Sequence, residues 1–197
     1  MSLHWAVGYI VAGDELEGTA NMILETIRQN PGWHLRKIKQ YVNISMGTAQ
    51  YHLDRLEKMG KVSSTRNGFY RHYFPIGMFK ENEQQIIKFL TQETTREIIM
   101  IIMENQNPSQ TDIVSRFKIS SASISWHIRR LVDARLLQES KDGKFKRYRM
   151  HPDINSLYIA KLLQNYYPHT WNKWSSRLAE MFLAMSKSKD NKEKEQN

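Results

Sequence analysis

Apolar residues recur along this chain at two periods, and the switches between them mark out its elements. Between residues 19 and 29, Met22, Ile23, Leu24 and Ile27 recur at helical spacing, and Asn30-Pro31-Gly32 ends the run. Leu35, Ile38 and Val42 predict a second, short helix over 35–41. Asn43-Ile44-Ser45 reads as a tight turn with Ser45 as N-cap, and Ala49, Leu53 and Leu56 give a third helix one apolar stripe, with Gly60 closing it. Residues 62–65 and 69–74 read as strands joined at Asn67-Gly68, a strong hairpin signal because both residues tolerate positive φ. Helix, helix, turn, helix, hairpin is the order of a winged helix-turn-helix.

The same order returns 75 residues later without a gap. Ile23 aligns with Ile98, Asn30 with Asn105, Ile38 with Ile113, Ile44 with Ile119 and His52 with His127. Arg55 aligns with Arg130, Leu56 with Leu131, Gly68 with Gly143 and Tyr73 with Tyr148. Self-similarity of this length is a duplication, and two copies are two small domains, each with its own core. Between them, Ile86, Ile87, Phe89 and Leu90 predict a linker helix within 77–94, with Asn82 as its candidate cap.

The ends differ in character. Leu3–Ala12 is apolar but about half the length a membrane-spanning helix needs, and it lacks the basic start of a signal peptide, so it reads as a packing segment. After residue 153 large apolar and aromatic residues dominate, including Leu157, Leu162, Leu163, Tyr166, Tyr167, Trp171, Trp174, Leu178, Met181 and Phe182. Pro168 is expected to split this region into two helices. So apolar a region packs either on its own subunit or on a second copy. Residues 186–197 are polar and charged, as in a disordered tail.

Charge sharpens this picture. The net charge is +9, and it is concentrated in residues 28–75 and 98–151, the blocks that hold the two copies. A basic domain attracts polyanions, nucleic acid foremost. The absence of cysteine removes disulfides and thiolate metal sites and fits a reducing cytoplasm. The seven histidines are not paired at metal-binding spacings, so no metal or other cofactor is expected. No glycine-rich nucleotide loop and no nucleophile–base–acid set stands out, so no enzymatic activity is expected.

The candidate chemistry lies on the third helix of each copy. Opposite the stripe of the first lie Gly47, Tyr51, Asp54 and Lys58, flanked by Thr48, His52 and Arg55, with Ser45 and Gln50 near the start. In the second, Ile124, Ile128 and Leu131 face inward, and Ser121, Ser123, Ser125, Trp126, His127, Arg129 and Arg130 supply the other side. A helix held by one stripe can enter a major groove with the other. Small residues at its start permit close approach, Gln, Ser and Thr exchange hydrogen bonds with bases, and Arg reaches guanine or phosphate. His52 and His127 divide evenly between packing and phosphate contact, whereas Tyr51 and Trp126 lean to exposure. The hairpins add Arg66, Arg71 and His72 in the first copy and Lys141, Lys144, Lys146 and Arg147 in the second, placed to touch phosphate or the minor groove. Because Asp54 stands where the second copy has Arg129, the second domain is expected to supply more of the affinity.

Residues 34–38, 44–53 and 56–62 (HLRKI, ISMGTAQYHL and LEKMGKV) resemble the first half of archaeal tandem winged-helix transcription regulators. Residues 119–128 (ISSASISWHI) are similar to their second half and, more broadly, to the ArsR/MarR-like winged-helix superfamily. The resemblance spans roughly residues 20–150 and implies a cytoplasmic prokaryotic regulator that contacts DNA through the third helix and wing of each domain. The cysteine and clustered-histidine metal ligands of the metal-responsive relatives are absent, so that role is not carried over.

The expectation is therefore a mainly α protein with small β-hairpin wings: two tandem winged helix-turn-helix domains plus a C-terminal helical region. The segments are 1–18 for packing, 19–76 for the first domain, 77–94 for the linker helix, 95–152 for the second domain, 153–185 for the C-terminal helices and 186–197 for the tail. The expected function is transcription regulation by reading double-stranded DNA, with a homodimer through the C-terminal region as a further option. Two alternatives stand beside it, a protein-binding winged-helix module of transcription machinery and a non-specific chromatin-type DNA binder.

Overall fold

In the computed structural model, residues 18–67, 69–172, 174 and 175 are described. The packing segment up to Ala12, Gly68 of the first hairpin turn, Leu178, Met181, Phe182 and the tail lie outside them. The chain divides into two units, at Thr91 and Gln92.

In the first unit, helix α1 (18–29) carries Ile23 and Ile27 inward. Helix α2 (Leu35–Val42) adds Ile38, and α3 (Met46–Lys58) adds Ala49, Leu53 and Leu56. Strands β1 (Val62–Asn67) and β2 (Tyr70–Pro75) pair antiparallel, Val62 opposite Pro75 and Arg66 opposite Arg71. Ile23, Ile27, Ile38, Leu53, Leu56, Val62 and Tyr73 form one buried cluster, with Leu24, Trp33, Leu35, Val42 and Ile44 packed around it. A bridge between His34 and His72 adds a stub of third strand, which periodicity does not reveal.

The second unit repeats this plan: α5 (Glu93–Asn105), α6 (Gln110–Val114), α7 (Ser121–Asp133), β3 (Leu137–Asp142) and β4 (Phe145–Met150). The seven clustered core residues each have a buried counterpart 75 positions on: Ile98, Ile102, Ile113, Ile128, Leu131, Leu137 and Tyr148. The strand stub repeats too, as a Ser109–Arg147 bridge. Duplication therefore preserves the packing even where surface identity is lost.

The repeat also extends further than residue matching suggests. Helix α4 (Glu81–Leu90) lies 75 residues before α8 (Ser156–Tyr166), so each module has a fourth helix after its hairpin. This corrects the reading of 77–94 as a linker. Ile86, Ile87, Phe89 and Leu90 are buried, and the whole of α4 falls within the first unit, which ends at Thr91. The helix starts after Lys80, whose backbone N–H donates to Glu83 Oε2 at 2.8 Å, so Asn82 is not its cap. In α8, Ile159, Ala160, Leu162 and Leu163 are buried, and Arg96 of α5 lies 4.7 Å over the Tyr167 ring. Helical residues resume at 168, and Trp174 is buried. These residues are buried within their own subunit, while Leu157 of the same helix is exposed. Among the described residues no helix is long and apolar enough to cross a membrane.

Candidate nucleic-acid interface

Each third helix is fixed at its start by a serine. Ser45 Oγ accepts from the Thr48 backbone N–H at 3.0 Å, and Ser120 Oγ accepts from that of Ser123 at 3.2 Å. Both caps leave the first turn exposed, with Gly47 of α3 and Ser121 and Ser123 of α7 on the surface. The hydroxyls of Ser45 and Thr48 bond each other at 2.7 Å, so they face outward as a pair. Gln50 is held by its amide on Asp54 Oδ1 at 2.8 Å, and that bond partly occupies the acidic group.

One turn on, the two copies present the same feature. Tyr51 and Trp126 occupy equivalent positions and are 55% and 56% exposed. Each ring packs edge-on against the following histidine, at 5.2 Å for Tyr51–His52 and 4.8 Å for Trp126–His127. A large ring at this exposure is placed against whatever the helix meets.

The histidines behind them turn inward to different degrees. His52 is wholly buried and neither ring nitrogen has a partner, which removes it from the DNA-contact set. Burial, reinforced by Arg55, pushes its pKa down and keeps the ring neutral. His127 is half-buried, shifted the same way by burial and by Arg130, and its Nδ1 lies 3.2 Å from Thr95 Oγ1. The residue equivalent to Thr95 in the first unit is Ala20, so His52 lacks the partner that His127 has. A buried polar group without a partner costs about 1–3 kcal/mol. Ala20→Thr is expected to raise the stability of the first unit by about 1 kcal/mol, measured by urea denaturation. An unchanged or lowered midpoint would show that the hydroxyl does not reach the ring.

Other expected contacts also turn inward. Ser125 Oγ donates back to the Ser121 carbonyl at 2.7 Å and accepts from Gln110 Nε2 at 2.7 Å, so α6 holds it. Arg130 is half-buried, its Nη1 donating to Gln92 Oε1 at 3.0 Å and its guanidinium lying 4.5 Å over the Trp126 ring. With Arg130 held inward, the cation that stays outward on α7 is Arg129, against Arg55 and Lys58 on α3. His72, expected on the first wing, is buried, with Nδ1 2.6 Å from the Gly32 carbonyl. Its counterpart Arg147 makes the same reach, donating from Nη1 to the Asn107 carbonyl at 3.1 Å, so both anchor a hairpin to the strand stub. Arg147 also pairs through Nε with Asp142 at 2.7 Å.

What remains outward is a basic set on each unit. Arg55 and Lys58 of α3 and Arg129 of α7 are exposed, as are Arg66, Arg71, Lys141, Lys144 and Lys146 on the hairpins. The strand register adds a feature that residue counts do not show. Arg66 stands directly opposite Arg71, and 75 residues on Lys141 stands opposite Lys146. Like charges directly opposite destabilise a hairpin. Each pair is relieved on one side only, Arg71 by Glu57 at 3.5 Å and Lys146 by Glu139 at 2.9 Å. A polyanion laid along the hairpin offsets the remaining repulsion. In the second unit a cleft of about 590 Å³ runs between α7 and the hairpin, lined by Arg129, Asp133, Glu139 and Lys146 among others.

Residues 17–87 match a family described as an N-terminal HTH domain, and residues 91–138 match the winged helix-turn-helix DNA-binding family. An uncharacterized HTH-type transcriptional regulator of Methanocaldococcus jannaschii is 22% identical over 129 residues, 65% of this chain and 32% of that protein. The chain thus spans about a third of the length of this relative. Among solved structures, HlyU from Vibrio cholerae is similar at 19% identity and a TM-score of 0.39, over 45% of this chain and 98% of its own. An ArsR family transcriptional regulator is similar at 15% identity and a TM-score of 0.35, over 51% of this chain and 98% of its own. The fold is mainly α with two small antiparallel hairpins, and the chain carries two helix-turn-helix domains in tandem.

Proposed function

From a chain that is a tandem winged helix-turn-helix protein and a homologue of an archaeal HTH-type regulator, we propose a transcription regulator that reads duplex DNA with both domains. The observation that carries the reading is the repeated one. Both copies hold an exposed aromatic on the outward face of a serine-capped helix, beside a hairpin with a like-charge basic pair. Structural need explains neither feature, and a nucleic-acid surface uses both.

Within each domain the third helix enters the major groove. Gly47, Thr48, Gln50 and Tyr51 in one copy, and Ser121, Ser123, Trp126 and Arg129 in the other, meet base edges and thymine methyl groups. Arg55 and Lys58 contact phosphate beside the first helix, and Arg66, Arg71, Lys141, Lys144 and Lys146 do so from the hairpins. Ser45 and Ser120 hold the helix N-termini, whose exposed N–H groups favour a phosphate. Two readers in one polypeptide make a bipartite site available to a single copy of the chain. The test is the salt dependence of duplex affinity, because about six phosphate contacts release counterions in proportion to their number.

A further inference from the structure

We propose that the first wing is a wedge: the Phe69 ring enters the minor groove, inserts between two base pairs and bends the duplex. This rests on the reading of the chain as a duplex-DNA binder and adds what one hairpin does to the DNA.

Phe69 sits at the tip of the β1–β2 hairpin and is 99% exposed. A turn residue at this position needs no aromatic side chain, and a bare phenyl ring in water is unfavourable. Its neighbour Tyr70 differs: that ring leans on His34 with centroids 4.9 Å apart. Phe69 has neither a hydroxyl nor a ring nitrogen, so it reads no base edge, and what it can do with DNA is stack. The surroundings favour a polyanion over a protein surface. No acidic residue occurs from Lys58 to Lys80, and one rung below the Asn67–Tyr70 pair stand Arg66 and Arg71, opposite each other, with Glu57 of α3 3.5 Å from Arg71. Guanidinium groups on both strands of the hairpin can hold the two phosphate walls of a minor groove while the tip enters between them.

The second wing makes the contrast. The residue 75 positions after Phe69 is Lys144, whose amine lies 5.5 Å over the Phe145 ring. A lysine tip contacts phosphate and does not unstack bases. The two wings therefore divide the task, one following the backbone and the other deforming it.

The gain from burying the ring and the cost of unstacking a base step are of similar size. The variant Phe69→Ala should therefore change affinity little and DNA shape greatly. The experiment uses a duplex recovered by repeated selection from random-sequence DNA with the full chain, carrying a donor and an acceptor dye at its ends. At saturation the wild-type chain is expected to bend it, within the range of roughly 20–90° that inserted side chains produce. Phe69→Ala is expected to bind within about threefold of wild type and to leave the duplex nearly straight, and Phe69→Leu, which keeps an apolar wedge, to restore most of the bend. Equal bending by wild type and Phe69→Ala overturns the wedge, as does tight binding by the wild type with no bend. Failure of the wild type to bind any duplex overturns the DNA reading itself. A concentration-dependent dimer that Phe69→Ala abolishes would assign the ring to a second copy of the chain and overturn the wedge.

Discussion

Arg129→Ala is expected to weaken duplex binding by about ten- to a hundredfold while leaving the unfolding midpoint unchanged. Arg129 is exposed on the outward face of α7, beside the cleft that separates that helix from the hairpin. A well-placed bidentate contact from arginine to guanine contributes about 1–3 kcal/mol, which is that range of affinity. Arg130, the adjacent residue, is expected to behave in the opposite way. Its guanidinium donates to Gln92 and covers the Trp126 ring, so Arg130→Ala lowers stability and affects binding only through the position of Trp126. Anisotropy titrations and urea denaturation of both variants check this pair of outcomes. Equal losses of affinity with equal losses of stability would contradict the division between them.

Gly32→Ala is expected to destabilise the first unit by about 2–5 kcal/mol, a large part of what a domain of this size possesses. Gly32 has φ +81°, a left-handed conformation that costs any other L-residue about 1–2 kcal/mol. A Cβ there would lie 2.9 Å from Ile87 Cγ2 and 3.2 Å from Thr91 Cγ2. The backbone cannot yield, because Gly32 donates to the Tyr73 carbonyl at 2.8 Å and its own carbonyl faces His72 Nδ1. Gly77 separates the two causes. It has φ +74° with nothing within 4 Å, so Gly77→Ala is expected to cost only the conformational part, about 1–2 kcal/mol. The midpoints of urea denaturation of the two variants measure the difference. Equal losses would mean that the contact with α4 is not tight.

The fate of these residues shows where periodicity succeeds. Buried positions obey a local rule: Ile23, Leu53 and Leu56 repeat at helical spacing, and their partners Ile98, Ile128 and Leu131 do so in register. Direction of a polar side chain obeys no such rule, because it depends on partners distant in sequence. Ser125 is turned by Gln110, Arg130 by Gln92 and His72 by Gly32, across 15, 38 and 40 residues. His52 falls beside the stripe on a helical wheel, yet it is wholly buried. The fourth helix escaped the repeat for another reason. Its buried residues are Ile86, Ile87, Phe89 and Leu90 in one copy and Ile159, Ala160, Leu162 and Leu163 in the other. These faces match at a spacing of 73 rather than 75, so the alignment that serves the rest of the module misses them. The opposed basic pairs of the wings were legible only once the strand register was known.

The wings also alter the balance between the copies. The second hairpin carries more lysine and arginine, but Lys146 is paired with Glu139 and Arg147 with Asp142. Exposed pairs of this kind contribute at most about 1 kcal/mol to stability, yet they lower the charge available to a phosphate. The first hairpin has fewer cations and no acid of its own, although Arg71 pairs with Glu57 of α3. The two domains therefore come closer in electrostatic strength than their composition suggests, and they differ more in the shape of the wing tip.

On the proposed reading, both basic faces meet duplex DNA through its phosphates. The most direct measurement is the affinity of the full chain for a random-sequence duplex over a series of salt concentrations. With about six phosphates neutralised, the logarithm of the association constant is expected to fall against the logarithm of salt with a slope near −5. A flat response, or no retention of duplex even at low salt, would contradict it.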